Sequence, residues 1–315
     1  MLSGSDRMRR RQFSRALAGA AVVGCGPRAT PGTPRSPERE AVREVAGARL
    51  RIRSEGREPA ALPLLSSWAA DAAAMIAAYY GGRMPVPDLE LTLVATSGRG
   101  VGFGSHRDGR WIRVRYGRQT DAEGFRADWV MVHEQLHACF PDLPDDQRWM
   151  QEGLSTYLEP IVRARAGALS VTRVWERWTA SMHHGRPGPG DRGLANTHTW
   201  GRTYWGGTLF WFMVDLELRE ASGGRASIRD AVRGIVAAGG NARQDWSTAR
   251  VCEVGDRATG HAVLSSVFAR LAAAPGDVDL DDIWRSLGVR IDDDGGVWLD
   301  DTAPGAATRR AITSA

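Results

Sequence analysis

His133-Glu134-Gln135-Leu136-His137, inside Trp129-Val130-Met131-Val132, and a second stretch, Trp149-Met150-Gln151-Glu152-Gly153-Leu154-Ser155-Thr156-Tyr157-Leu158-Glu159, decide how this chain is read. The first is an H-E-x-x-H pattern. On an α-helix, residues i and i+4 lie about 5–6 Å apart on one face. Two imidazoles so placed can bind one Zn²⁺, each nitrogen at about 2.0–2.1 Å. Glu134 sits one step round the helix, beside an open coordination position, where a carboxylate can take the proton of a metal-bound water. A catalytic zinc needs a third protein ligand and one open position. Glu152, set among Trp149, Met150, Leu154, Tyr157 and Leu158, is placed to be a buried, employed carboxylate and the third ligand.

Outward from these two stretches, the pattern changes along the chain. Arg49–Arg53 alternates and reads as an edge strand. Leu89–Ala95 and Trp111–Tyr116 alternate with period two and predict strands. Ser66–Tyr80 predicts an Ala-rich helix with Trp68, Ala72, Ile76 and Tyr80 on one face. From there the signals are helical: Ala122–Phe140, Asp145–Arg165 and Val171–Met182, then a Gly/Pro/His-rich loop over 183–199, with His183 and His184 facing solvent. A long apolar helix follows over Arg202–Ala221, ending at Ser222-Gly223-Gly224, and Ser227 caps another. Further helical segments lie near 247–254, 261–273 and 278–286. Strands first and helices later predict an α+β fold, with a small N-terminal mixed sheet and a mainly helical C-terminal part.

The N-terminus reads as an address. Arg10-Arg11-Gln12-Phe13 resembles a twin-arginine export signal. Ala16–Gly24 is a short apolar stretch, and Val22-Val23-Gly24-Cys25 resembles a lipobox, in which the cysteine is acylated after cleavage. Residues 1–25 are therefore expected to be a signal peptide and 26–46, rich in Pro, Arg, Ser, Thr and Glu, a flexible tether. That leaves 47–315 as one catalytic domain. The expected location is the periplasmic side of the cell envelope, held to a membrane by lipid at Cys25. Cys139 and Cys252 are expected to be buried free thiols.

Charge supports this division. All 41 basic residues of the 315 are arginine, against 37 acidic ones, for a formal +4. Five of those arginines and one acid lie before Cys25, so the remainder is neutral, 36 against 36. Nucleic acid is not an expected partner. Walker, Rossmann and zinc-finger spacings are missing from the sequence.

H-E-x-x-H followed on a second helix by W-x-x-E-G-[FL]-[AS]-x-Y resembles the gluzincin metallopeptidases. Arg202-Thr203-Tyr204-Trp205-Gly206-Gly207-Thr208-Leu209, Val214-Asp215-Leu216-Glu217-Leu218-Arg219 and Gly223-Gly224-Arg225-Ala226-Ser227-Ile228-Arg229-Asp230 are similar to segments of the glycyl aminopeptidase family, over about residues 65–240. The resemblance implies a thermolysin-like zincin fold with one zinc per chain. It implies His133, His137 and Glu152 as ligands, Glu134 as general base and Tyr204 as donor to the oxyanion. His198, six residues before Tyr204, is the competing donor. Gly206 stands where the family has a lysine. The stretch Gly102-Phe103-Gly104-Ser105-His106 corresponds to an edge strand that in aminopeptidases carries a Glu for the substrate's free amine, and here it has none. Both aminopeptidase and endopeptidase action on a peptide or protein substrate are thus expectations. The reading from another class is a catalytically idle envelope lipoprotein that binds a peptide or protein partner through the same fold.

Overall fold

The computed structural model describes residues 40–56 and 61–314. Arg10, Arg11, Cys25 and the tether as far as residue 39 lie outside the described residues. Five strands form the first layer: β1 (Glu40–Val45), β2 (Ala48–Glu55), β3 (Asp88–Thr96), β4 (Val101–Arg107) and β5 (Trp111–Gly117), in the order β1-β2-β3-β5-β4. β1–β2 and β4–β5 are antiparallel hairpin pairs, and the two central contacts, β2–β3 and β3–β5, are parallel. The sheet is therefore mixed, as the sequence predicts.

Alternation explains the layer. Ala48, Leu50 and Ile52 of β2, Leu89, Leu91 and Leu93 of β3, and Ile112, Val114 and Tyr116 of β5 are buried on one face. On the other face arginines and acids pair across strands: Arg49 with Glu44, Arg53 with Glu40, Arg113 with Glu55. Two sequence expectations need correcting here. Residues 40–45 are not tether but the sheet's outer strand; its sequence, EAVREV, has the charge of a linker yet pairs fully with β2. In consequence the Arg49–Arg53 strand is not an edge strand but the second in order.

Helix α1 (Leu62–Tyr79) supplies Leu65, Trp68, Ala69, Ala72, Ala73 and Ile76 to the core under the sheet. The single helix expected over Ala122–Phe140 is two, α2 (Ala122–Ala127) and α3 (Val130–His137). Asp128 makes the break: its backbone is extended (φ −66°, ψ 146°). Its carboxylate accepts from the N–H groups of Val130 and Met131 at 2.9 and 3.0 Å. An Asp capping its own downstream turn competes with helix continuation. Gln135 on α3 donates to the Ala69 carbonyl at 2.9 Å, which fixes α3 against α1.

The helical part follows: α4 (Arg148–Arg165), α5 (Val171–Ser181), α6 (Gly207–Ser222), α7 (Ile228–Ala237), α8 (Thr248–Thr259), α9 (Val263–Leu271), α10 (Leu280–Leu287) and α11 (Ala306–Thr313), with a small hairpin of β6 (Val289–Ile291) and β7 (Val297–Leu299) before the last. The C-terminal part is mainly helical, as expected, and the hairpin is the one departure among the described residues. Helices α4 and α6 cross closely at Gly153 and Gly207: a Cβ on Gly153 would lie 2.2 Å from the Gly207 carbonyl carbon. The residue after Glu152 must therefore be glycine for the two helices to meet. The Asp215–Arg219 motif is a buried knot beside this crossing. Asp215 accepts from the Tyr157 hydroxyl at 2.9 Å, from Arg219 at 3.0 Å and from the Ile228 N–H at 3.0 Å, so α4, α6 and α7 are tied at one carboxylate. Cys139 and Cys252 are buried free thiols. Among the described residues no helix is long and apolar enough to cross a membrane.

Candidate metal centre

His133 and His137 lie one turn apart on α3, and Glu152 approaches from the first turn and a half of α4. All three are buried. Nε2 of His133 is 3.2 Å from Nε2 of His137 and 3.2 Å from Oε2 of Glu152, and the third side, from His137 to Glu152, is 3.3 Å. Three ligands of a tetrahedral zinc, each about 2.0–2.1 Å from the metal, stand about 3.3–3.4 Å from one another. The triangle therefore has the size of three corners of that tetrahedron. The donor chemistry agrees. Two imidazole nitrogens and a carboxylate oxygen converge on one point, and a cation satisfies all three lone pairs at once where shared protons cannot. These three residues could hold a metal ion.

The surroundings hold the triangle without filling it. The ring of His133 stands at right angles to Trp129, centroids 5.5 Å apart. Its buried Nδ1 has no hydrogen-bond partner among the described residues. The guanidinium of Arg177 covers Trp129 at 5.1 Å. His106 on β4 stacks on His137 at 6.0 Å. Burial first, and then the neighbouring His137, push the His106 imidazole down to about 3, so it is neutral at physiological pH. Arg148 donates to Oε1 of Glu152 at 3.1 Å.

Glu134 is buried against β4. A Cβ on Gly104 would come within 2.5 Å of its Cγ and Oε1, so the carboxylate occupies the space that glycine leaves. Burial raises the Glu134 carboxyl above the ordinary range, with the two histidines working against it. Burial acts on Glu152 in the same sense, but His137 and His133 overcome it and hold that carboxylate well below the usual value. For His137 the order is reversed: burial opposes its protonation, and the Glu152 charge outweighs burial and raises it.

Tyr204 lies in a π-helical turn, Arg202–Gly206, leading into α6. Such turns recur at functional sites because the extra residue re-aims a side chain. The phenol is half-buried. Burial, then the Glu152 charge, raise it well above its ordinary value, and Glu134 adds to this, so the hydroxyl keeps its proton. His198 is exposed in the preceding loop. Among the described residues no hydrogen bond or ring contact joins it to the triangle. His183 and His184 are exposed as well. Arg148, His106, Gly104 and Trp129 are the neighbours that sequence reasoning passed over. Of these only Arg148 carries a local signal, its i, i+4 spacing to Glu152.

No protein-family model and no curated protein matches the sequence. Solved structures do match its fold. An aminopeptidase N family protein from Idiomarina loihiensis superposes with a TM-score of 0.62 at 14% identity, over 82% of this chain and 51% of that one. A mutant of an M1 zinc metallopeptidase from Deinococcus radiodurans gives 0.50 at 15%, over 73% and 51%. A two-domain M1 zinc metallopeptidase mutant bound to L-arginine gives 0.51 at 15%, over 76% and 54%. The chain thus spans about half the length of each of these neighbours, and what it shares with them is the fold of zinc metallopeptidases of the M1 type.

Proposed function

We propose that this chain is a zinc-dependent peptidase of the gluzincin type that hydrolyses peptide bonds with metal-activated water. We further propose that it is exported through its twin-arginine signal and held at the cell envelope by lipid on Cys25. The observation that carries the peptidase reading is the His133–His137–Glu152 triangle, with sides of 3.2–3.3 Å, beside a buried Glu134. The fold likeness to M1 metallopeptidases supports it. The narrower likeness to glycyl aminopeptidases rests on residues 202–230.

His133, His137 and Glu152 would hold the zinc, which when bound would supply a Lewis acid and a water with a pKa of about 7. The rest falls to the chain. Glu134 accepts the proton of the attacking water on a carboxylate oxygen and returns it to the leaving nitrogen. One carboxylate thus serves as general base and then as general acid. The Tyr204 hydroxyl donates to the substrate's carbonyl oxygen as negative charge gathers there. The absence of a Glu on β4 keeps endopeptidase action in the proposal beside aminopeptidase action.

The test is metal analysis of the purified chain together with a fluorogenic peptide library. One zinc per chain is expected, and His133→Ala or His137→Ala should lose most of it. Glu134→Gln should keep zinc and lose about 10²–10⁴-fold in hydrolysis. Full zinc in both histidine variants would overturn the assignment. Zinc with no hydrolysis of any peptide by the wild type would favour the idle, partner-binding protein.

A further inference from the structure

Arg148 lies one helical turn before Glu152 on α4. The two oxygens of Glu152 have separate partners. Oε2 stands 3.2 and 3.3 Å from the Nε2 atoms of His133 and His137, and Oε1 accepts from Nη2 of Arg148 at 3.1 Å. We infer that Arg148 is a positioning residue for the metal: by holding Oε1 it turns Glu152 so that Oε2 alone points at the ion. The inference rests on the zinc reading above.

Three observations favour this over a contribution to folding. The side chain of Arg148 is 61% exposed while that of Glu152 is 9% exposed, so the pair reaches from solvent into the site. A guanidinium standing in water is screened, so its pairing adds little to folding. A glutamate rotates about three side-chain bonds, and a second hydrogen bond to its far oxygen removes the rotation that would take Oε2 off the metal. A charged donor on Oε1 also disfavours chelation through both oxygens, which favours leaving the remaining coordination position to water and substrate.

Outer partners of metal ligands typically change metal affinity by about 10–100-fold when removed. The experiment is zinc competition with a chromogenic chelator on the full chain, wild type against Arg148→Met and Arg148→Lys, with thermal unfolding of each metal-free form. The Met variant should bind zinc about 10–100-fold more weakly while melting within a few degrees of wild type. The Lys variant should recover part of the loss, since a charged donor is restored at Oε1. Arg110→Met, in the turn between β4 and β5, is the control for loss of one positive charge and should bind as wild type does. A Met variant with wild-type zinc affinity overturns the inference. Failure of the zinc reading itself would show differently, as a wild-type chain that takes up no zinc.

Discussion

Glu152 and Glu159 are two turns apart on one helix, so they point the same way, and both are buried. The two ends of that helix nonetheless treat a carboxylate in opposite manners. Glu159 is closed on all sides by cations. Arg163 donates to Oε1 at 2.9 Å, and Arg177 pairs with Oε2. Nη2 of Arg163 donates to the carbonyls of Arg126 and Ala127. Glu152 has one arginine on one oxygen, and its other oxygen is left to two imidazoles. A buried charge needs partners to persist. At Glu159 the protein provides them permanently. At Glu152 it provides one arginine on Oε1 and turns Oε2 to the two imidazoles. Burial of a glutamate therefore says nothing of its role until the sign and saturation of its partners are read. The two ends are also joined, since Arg177, paired with Glu159, covers Trp129, and Trp129 stands against His133.

The contrast breaks or holds under one pair of substitutions. Glu152→Gln should abolish stoichiometric zinc and with it hydrolysis, while the fold stands, because the change removes a charge from a site that lacks full compensation. Glu159→Gln should do the reverse. It leaves Arg163 buried beside no counter-charge and should cost about 3 kcal/mol of stability, the low end of the usual cost, since Arg177 reaches solvent. Its zinc affinity, measured below its melting temperature, should stay near wild type. Equal zinc loss in both variants would show that the two ends are one unit and that the distinction is false.

A smaller effect tests what else belongs to the open end. Tyr204→Phe removes a hydroxyl and keeps the ring. Loss of one oxyanion donor typically costs about 10²–10³-fold in kcat. Because the hydroxyl acts as charge develops, kcat and kcat/KM should fall together, with zinc content unchanged. His198→Ala, which alters an exposed loop residue, should leave both near wild type. A large fall in the His198 variant with little change in Tyr204→Phe would reverse the two roles.

The open end was legible in the sequence because each of its parts is a local pattern. Four-residue spacing places His133 and His137 on one face, and a glutamate inside an apolar run marks Glu152. Arg148 was legible in principle by the same spacing. His106 was not: it reaches His137 from a strand thirty-one residues earlier, and a contact of that kind leaves no periodic trace. The resemblance takes Gly102–His106 as an edge strand, and β4 is one, but its own residues hide it for a related reason. GFGSHR has little apolar alternation, because the inward position beside Glu134 must be Gly104. The outer strand β1 was mistaken for tether since an edge strand needs pairing, not apolar side chains, and charged residues suit it. The helix break at Asp128 was passed over because the apolar period runs on through Trp129 while one carboxylate redirects the backbone.

Asp128 gives the smallest of the expected effects, and it lies where the two ends meet. It caps α3, the helix of the two histidines, and feels the charges of Glu159 and Arg163. Burial pushes its carboxyl up to about 6 from an ordinary 3.8, against the pull of the Met131 and Val130 N–H groups. An acid whose folded value is raised binds more protons in the folded state than in the unfolded one between those two values. Stability from this group is therefore greatest in acid and falls as pH rises from about 4 to about 6. Between pH 4.5 and 7 the loss should be about 2 kcal/mol. Asp128→Asn keeps an oxygen that can cap the helix and removes the titration. In denaturant unfolding of the metal-free chain, the Asn variant should gain on wild type by about that amount when the pH is raised from 4.5 to 7. A gap between the two proteins that does not change with pH would mean that the Val130 and Met131 N–H groups, not burial, govern Asp128. The cap would then be an ionised anchor for the histidine helix, as firmly held as Glu159 is by its arginines.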